Sequence, residues 1–392
     1  MSPWNRCAAL LTLTLLSVAA AVPLKIASVS PLSGGLTGSG TELKRGVELS
    51  VSQHLQEFKT LGYELSLVSF DDQGSPVAAK PLAQQLAADK SILGVVGAYN
   101  SSVSNVLAGA FAPTKLAIVS VSTNDQLTKN SWSHFNRVVA PDGAQSVAAG
   151  RYLINAQPKA VFIISDNTTY GNGLTRSVLS QLKTSAVKVA GYGGVSTDPE
   201  ISRMIQTVKA SGATMVYFGG TDDVGGRLVK AFNAAKVKVS LVGSDGIDSP
   251  NFIRQVTGLA ENITYTTVFG PVSLFTNSNS FAEKYKATYK APASGLAAYA
   301  YDAAEALLSG LKAAVLAAGG TPTRAQVSTA VRRINLPSCF TAERSGCQTI
   351  TGALAFSATG ERQKSAVLVM KYDEMLQTKL TKFQAIDAKD LK

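Results

Sequence analysis

The sequence predicts an α/β protein with two lobes, each built on a mainly parallel sheet. Short apolar runs alternate with amphipathic helical patterns along most of the chain, which is typical of βαβ units. The chain has 392 residues, more than one hydrophobic core ordinarily holds, and this length suits two domains. The alternating series occurs twice, before and after about Pro141, and no low-complexity linker separates the halves.

In the first half, strands are predicted at 24–30, 63–70, 92–96 and 116–119. The helix after the first strand is expected to begin at a capping box formed by Ser39 and Glu42. Its buried face repeats every four residues: Leu43, Val47, Val51 and Leu55. Further helices are predicted at 76–88 and near 102–111.

In the second half, strands are predicted at 160–165, 214–220 and 240–242. Helices are expected from about 173, near 224–235 and over 248–256, and residues 278–334 are predicted to be mostly helical. The last two strands are predicted at 352–356 and 366–371. The order of elements therefore favours parallel sheets in both halves.

Four short polar residues follow apolar strands: Ser101, Thr123, Thr221 and Asp245. In open α/β sheets, ligands bind in the crevice at the carboxyl ends of the strands. Hydroxyl groups from the first half and a carboxylate from the second half suit a zwitterionic ligand. Taken one at a time, the same residues also fit ordinary helix caps and turns.

Motifs that would indicate catalysis or a cofactor are absent from the sequence. There is no G-x-S-x-G and no P-loop, and the G-x-G at Gly38 lacks the third glycine of a dinucleotide site. The only histidines, His54 and His134, do not follow strand ends. The sequence therefore predicts binding rather than catalysis, with no cofactor and no metal.

The first 21 residues have the features of a cleaved signal peptide. Arg6 precedes an apolar stretch of about 14 residues, and Ala19 and Ala21 fit an A-x-A cleavage pattern. The stretch is short for crossing a hydrocarbon core of roughly 30 Å. We therefore predict a signal peptide over residues 1–21 and an exported mature chain.

The amino-acid composition argues against nucleic acid as a binding partner. The formal charge of +11 comes from scattered Lys and Arg residues, whereas a nucleic-acid binder would concentrate them on one face. After removal of the signal peptide, Cys339 and Cys347 remain, and an exported protein would be expected to join them in a disulfide. Two reduced cysteines are the alternative.

Six motifs in one order resemble the leucine/isoleucine/valine-binding family, the type I periplasmic binding proteins of ABC importers. The motifs are PLSG (31–34), FDDQGSP (70–76), VVGAYNSS (95–102), STNDQLT (122–128), YGNG (170–173) and GSDG (243–246). The resemblance covers residues 24–372. It implies two Rossmann-like lobes joined by three crossovers near 139–141, 270–271 and 350–352. Lobe I would comprise 22–139 plus 271–351, and lobe II would comprise 140–270 plus 352–392.

The resemblance also implies a ligand site. Ser101 and Thr123 match the family residues that hold the ligand's α-carboxylate and amine, and backbone groups of Val121 would assist. Tyr170 matches the tyrosine of the YG motif, and Asp245 matches the acid that binds the ammonium group.

Three positions depart from the family's best-known members, which carry Glu where Asp245 stands. Ser39 and Thr221 replace aromatic residues, which predicts a side-chain pocket that is more open or more polar. The resemblance implies a monomeric periplasmic protein that delivers a branched-chain or related amino acid to an ABC permease. A sensor for an amide, urea or an aromatic acid, coupled to a regulatory partner, is the alternative.

Overall fold

The computed structural model describes residues 21–259, 262–275, 278–337, 349–373, 377–387 and 389. Residues 1–20 of the predicted signal peptide lie outside the described residues. So do Cys339 and Cys347, and both the signal peptide and the disulfide therefore remain predictions.

The chain forms the predicted two-lobe α/β fold. Its strands are β1 (Val22–Ser30), β2 (Tyr63–Asp71), β3 (Ile92–Val96), β4 (Ala117–Ser120), β5 (Phe135–Arg137), β6 (Val161–Ser165), β7 (Val189–Gly194), β8 (Met215–Gly219), β9 (Ser240–Gly243), β10 (Ile263–Thr267), β11 (Asn335–Leu336), β12 (Leu354–Ala355), β13 (Lys364–Tyr372) and β14 (Thr378–Asp387).

The helices are α1 (Thr37–Thr60), α2 (Pro76–Ala88), α3 (Ser101–Phe111), α4 (Gln126–Lys129), α5 (Asp142–Ala156), α6 (Thr169–Lys183), α7 (Asp198–Ser211), α8 (Asp222–Ala234), α9 (Pro250–Val256), α10 (Asn279–Tyr289), α11 (Gly295–Ala318) and α12 (Arg324–Arg332). They alternate with these strands as far as β10, after which α10, α11 and α12 follow one another.

Each lobe has its own sheet. The first lobe contains a five-stranded parallel sheet in the order β2-β1-β3-β4-β5. The second contains seven strands in the order β14-β13-β10-β9-β8-β6-β7, with β13 antiparallel to both of its neighbours. All strands of the first sheet lie within the range predicted for lobe I and all strands of the second within that for lobe II. The lobe boundaries themselves stay a prediction.

The helical stretch returns to the first lobe, where α11 packs along α1 and against β3 and β4. Leu43 and Val47 of α1 and Leu307 of α11 are fully buried in the shared core. Burying one such side chain contributes roughly 1.5–3 kcal/mol. The same interface encloses His54 of α1, whose Nε2 lies 3.0 Å from the carboxylate of Glu305.

Several local predictions were wrong. Helix α1 begins at Thr37 after the apolar Leu36, so Ser39 lies inside its first turn and forms no capping box. Strands β5, β7, β10, β11 and β14 were not predicted. The VAGYGG of β7 is rich in glycine, and β14 is a mostly exposed edge strand; both lack the apolar alternation that indicates a strand.

Buried charges hold the backbone where the chain passes between the lobes. Arg362 donates to the carbonyl of Val138 at 2.9 Å and to that of Gly352 at 2.7 Å, so it joins two of the connections. Asp302 accepts a hydrogen bond from the amide of Thr351 at 2.8 Å. Asp248 accepts one from the amide of Gly270 at 3.3 Å, in the remaining connection.

Candidate ligand site between the lobes

The carboxyl ends of β3, β4, β8 and β9 face each other across the gap between the lobes. They border a pocket, at the place where open α/β folds bind their ligands. Its walls are formed by Tyr99, Asn100, Ser101, Ser102, Val121, Thr123, Thr168, Tyr170, Thr221, Asp245, Gly246 and Phe269. The site therefore draws on both lobes and on the connection that contains Phe269.

The first-lobe wall offers hydroxyl groups and the start of a helix. Ser101 is the first residue of α3, and its Oγ accepts a hydrogen bond from the amide of Asn124 at 3.3 Å. This leaves the hydroxyl proton of Ser101 free to donate into the cavity. The first amides of a helix have no intrahelical acceptor, and the helix dipole favours an anion there. Thr123 and Val121 complete this wall.

The loop that carries Thr123 is held by a buried ion pair. Arg137 is fully buried, and its Nε donates to Glu361 Oε2 at 2.7 Å. The same guanidinium donates through Nη1 to the carbonyl of Asn124 at 2.8 Å. Moving the loop away would break the hydrogen bond from Arg137 to the Asn124 carbonyl. Arg137 itself cannot follow, because separating it from Glu361 would leave an uncompensated buried charge. The ion pair therefore fixes the position of the loop.

The second-lobe wall presents a carboxylate that is already hydrogen-bonded. Asp245 begins a single turn of 3₁₀ helix directly after β9. Its Oδ1 accepts from the Tyr170 hydroxyl at 2.6 Å and from the Gln145 side-chain amide at 2.5 Å. Oδ2 receives no hydrogen bond from another of the described residues. This oxygen is therefore the one available to a ligand.

Burial is the main influence on the ionisation of Asp245. It raises the pKa of the carboxyl to about 6, although the hydrogen bonds from Tyr170 and Gln145 favour the charged form and oppose the rise. A cationic group beside Oδ2 would lower this pKa again. The carboxylate is thus arranged to bind a positive charge.

Gln145 is a site residue that sequence reasoning missed. It lies on α5, and its Oε1 accepts from the Thr266 hydroxyl at 3.0 Å and from the Asp245 amide at 3.3 Å. Gln145 precedes Asp245 by 100 residues, so no local spacing indicates the contact. The wall residues Tyr99 and Thr168 were also not predicted.

The structure brings six of the predicted ligand residues to one cavity and leaves one outside. The six are Ser101, Val121, Thr123, Tyr170, Thr221 and Asp245. Ser39 is buried but does not line the cavity; it lies behind the wall, beside the Tyr99 hydroxyl. The lobes touch next to the cavity, where the side-chain amide of Asn124 donates to the Thr169 carbonyl at 3.2 Å.

The part of the chain that the structure describes contains no group of three or more His, Cys, Asp or Glu side chains arranged to hold a metal ion. None of its helices combines the length and the apolar character that a membrane span requires.

Comparison with known proteins identifies the family. The model of the family described as "Periplasmic binding protein" matches residues 23–374, nearly the whole chain after the predicted signal peptide. The chain belongs to the periplasmic binding protein family. The resemblance to leucine/isoleucine/valine-binding proteins inferred from the six motifs is thereby confirmed.

Individual relatives of this periplasmic binding protein are distant but cover most of its length. It is 26% identical to the "Leu/Ile/Val-binding protein homolog 2" of Brucella abortus over 360 residues, covering 91% of this chain and 92% of that one. A leucine-binding protein from Thermotoga maritima has a similar fold, with a TM-score of 0.78 at 21% identity and coverage of 94% and 100%. A solute-binding protein from R. palustris in complex with benzoate gives 0.76 at 19% identity, with coverage of 93% and 98%.

The prediction of a binding protein rather than an enzyme is confirmed by these relationships. A small-molecule ligand and an ABC permease are the partners that membership of the family implies. The periplasm is the compartment of the family. The relatives differ in what they bind, so the ligand of this chain has to be argued from its own site.

Proposed function

We propose that this periplasmic binding protein captures a free amino acid between its lobes and delivers it to a membrane ABC permease. One observation carries the proposal. The hydroxyl-bearing Ser101 and Thr123 and the carboxylate of Asp245 border the same cavity from opposite lobes. An α-amino acid presents a carboxylate and an ammonium group on one carbon, and this wall chemistry complements both.

The ligand carboxylate would lie at the start of α3, accepting hydrogen bonds from Ser101, Thr123 and the free amides of the first turn. The ammonium group would donate to Asp245 Oδ2 and to the carbonyl of Val121. Each charge-assisted hydrogen bond contributes about 1.5–3 kcal/mol, and micromolar affinity requires about 8 kcal/mol. Four such bonds therefore suffice after ordering costs.

Ligand binding would also favour closure of the lobes. A ligand that touches both walls interacts fully only when they approach each other, so it stabilises the closed state more than an open one. The contact between Asn124 and Thr169 would form in the same movement. The closed form would be the one that docks on the permease, as a monomer.

Calorimetric titration with matched ligands tests the proposal. The twenty amino acids come first; the tightest is then compared with its N-acetyl derivative, which lacks the ammonium group, and with its carboxamide, which lacks the carboxylate. We expect micromolar binding of the free amino acid and at least about 100-fold weaker binding of both derivatives. Equal binding of the N-acetyl derivative would contradict the proposal.

The second candidate is an aromatic acid, because a structure of similar fold holds benzoate. Such a ligand has a carboxylate but no cationic group, so it would place an anion near Asp245 and leave that buried carboxylate unpaired. Benzoate, urea and acetamide therefore belong in the same titration. Binding of benzoate in preference to every amino acid would favour the aromatic acid.

Delivery to a permease is tested in a cell. Deletion of the gene should abolish uptake of the radiolabelled ligand at micromolar concentration, and the intact gene should restore uptake. A sensor would instead leave uptake unchanged and alter expression of other genes when the ligand is added. Light scattering during size-exclusion chromatography tests the monomer.

A further inference from the structure

Lysine residues of the second lobe gather at one edge of its sheet. Strands β6, β7, β8 and β9 run parallel to one another. Their amino ends therefore share one edge, and the ligand site lies at the opposite edge, beyond their carboxyl ends. Six lysines precede these strands or follow the helices that lead into them. They form what we call the lysine patch: Lys159, Lys183, Lys188, Lys209, Lys236 and Lys238.

Backbone contacts connect the segments that carry the lysine patch. The amide of Lys159 donates to the Thr214 hydroxyl at 3.2 Å, and the carbonyl of Lys188 accepts from the amide of Val161 at 2.9 Å. The amide of Ser240, at the start of β9, donates to the Thr214 carbonyl at 3.0 Å. These segments therefore lie side by side, and the order β9-β8-β6-β7 places them within three strand spacings, about 14 Å.

The positive charge of the lysine patch is not compensated. All six of its lysines are exposed, and none of them pairs with an acid within the described residues. Asp373, which follows β13, is the acid that the described part of the chain places at this edge, and Lys379 binds it at 3.2 Å. The acids of α7 and α8 all lie in the first turns of these helices, at the edge that faces the ligand site.

Helix dipoles explain the lysine patch incompletely. The carbonyl groups that end a helix favour a cation in its last turn, which accounts for Lys183 and Lys209. Lys159, Lys188 and Lys238 lie outside the helices, one or two residues ahead of β6, β7 and β9. Helix ends therefore do not call for these three lysines.

The corresponding edge of the first lobe carries both signs of charge. Lys59, Lys90 and Lys115 are exposed there, at the ends of helices or ahead of strands. Glu64 and Asp89 lie among them, at the start of β2 and directly after α2. A collection of lysines without acids is thus a property of the second lobe and not of both.

We propose that the lysine patch binds the anionic surface of a lipid bilayer. Lysine is a flexible point charge that suits a fluid array of headgroups, whereas fixed anions are best matched by the planar guanidinium of arginine. The segments 156–161, 183–188, 209–214 and 235–240 contain no arginine. The compartment of the family is the periplasm, where a membrane is the extended anionic surface. Each lysine close to such a surface strengthens binding by about fivefold.

Membrane binding through the lysine patch leaves the ligand site accessible, because the two lie at opposite edges of the second sheet. The bound protein would stay close to a permease in the same membrane and would search for it along a surface. This inference does not depend on which ligand the site holds. Ligand titration and vesicle binding can therefore fail independently of each other.

Sedimentation with sucrose-loaded vesicles gives the first test. The protein is purified after export, without the predicted signal peptide. It is mixed with vesicles of phosphatidylcholine alone or of equal parts phosphatidylcholine and phosphatidylglycerol. We expect at least about 100-fold stronger partitioning onto the anionic vesicles at about 50 mM salt, and loss of most of this difference at about 500 mM because of screening. Equal partitioning onto both compositions would overturn the proposal.

A triple variant of the second lobe gives the second test. Lys159→Gln, Lys188→Gln and Lys238→Gln together remove the three lysines that helix ends do not explain. Partitioning onto the anionic vesicles should fall at least about thirtyfold. The melting temperature should stay that of the unchanged protein, since all three side chains are exposed.

The matched control removes the same net charge from the first lobe. Lys59→Gln, Lys90→Gln and Lys115→Gln together should change partitioning by less than about threefold, because these positions would lie beyond the screening length from the membrane. Similar weakening by both triple variants would assign binding to net charge and overturn the proposal. So would unchanged partitioning of the second-lobe variant. Binding of a DNA duplex without binding of anionic vesicles would favour a nucleic acid instead.

Discussion

The two walls of the cleft are built differently. On the second lobe, Asp245 is fixed by hydrogen bonds from Tyr170 and Gln145 before any ligand arrives. On the first lobe, the hydroxyl proton of Ser101 and the first amides of α3 are left free. A charge held in place strengthens binding through preorganisation, whereas free donors can adapt to the ligand. We therefore expect the second wall to determine affinity and the first to determine orientation.

The largest effect is expected from removing the fixed charge. Asp245→Asn keeps the shape of the side chain but leaves the ligand ammonium without its counter-ion, and amino-acid affinity should fall at least about 100-fold. Calorimetry measures this loss. Asp198→Asn changes a carboxylate of the same lobe that is 79% exposed and serves as the control. A loss below about threefold for Asp245→Asn would show that the second wall does not dominate.

The second prediction concerns pH. Free Asp245 has a raised pKa of about 6 because of burial, and the ammonium group binds only its ionised form. Below pH 6 the ligand must displace a proton, so amino-acid affinity should fall by about tenfold per pH unit; above pH 7 it should be constant. Titration between pH 5 and 8 measures this. In Asp245→Asn the remaining affinity should not follow this profile, and an identical profile would assign the titration to another group.

A smaller loss of affinity is expected from a substitution in the first wall. Thr123→Val removes one hydroxyl near the ligand carboxylate, and affinity should fall by about tenfold, the loss of one charge-assisted hydrogen bond. The free amides of α3 remain, so binding should survive. The comparison is with Thr257→Val, which removes a hydroxyl that bonds only to the local backbone. If Thr123→Val weakened binding as much as Asp245→Asn, the two walls would be equivalent.

The smallest effect is expected from weakening the support of the acid. Tyr170→Phe removes one of the hydrogen bonds to Asp245, but Gln145 still donates to the same oxygen. Affinity should fall by only about threefold to fivefold, and the pKa of Asp245, read from the pH profile, should rise. Tyr192→Phe, at a hydroxyl-bearing ring that is 45% exposed, is the matched control. A loss of 100-fold would mean that Tyr170 itself contacts the ligand.

Sequence reasoning predicted the fold because most of the βαβ units can be recognised locally, from an apolar run followed by an amphipathic helix. It also placed Ser101, Thr123 and Asp245 at strand ends, and the parallel sheets bring those ends together. It did not predict Gln145, because the contact with Asp245 depends on how α5 packs against the second sheet. Ser39 was misplaced for a related reason, since the start of α1 is determined by packing and not by the capping motif.

Arg362 has a mechanical consequence for the whole molecule. Its guanidinium bonds the carbonyls of Val138 and Gly352, which belong to two different connections between the lobes. Those two backbone segments are tied together through one side chain, and they cannot separate without breaking at least one of these hydrogen bonds. Opening should therefore take place as a swing about this fixed point, with the greatest displacement at the far rim of the molecule and almost none beside the arginine.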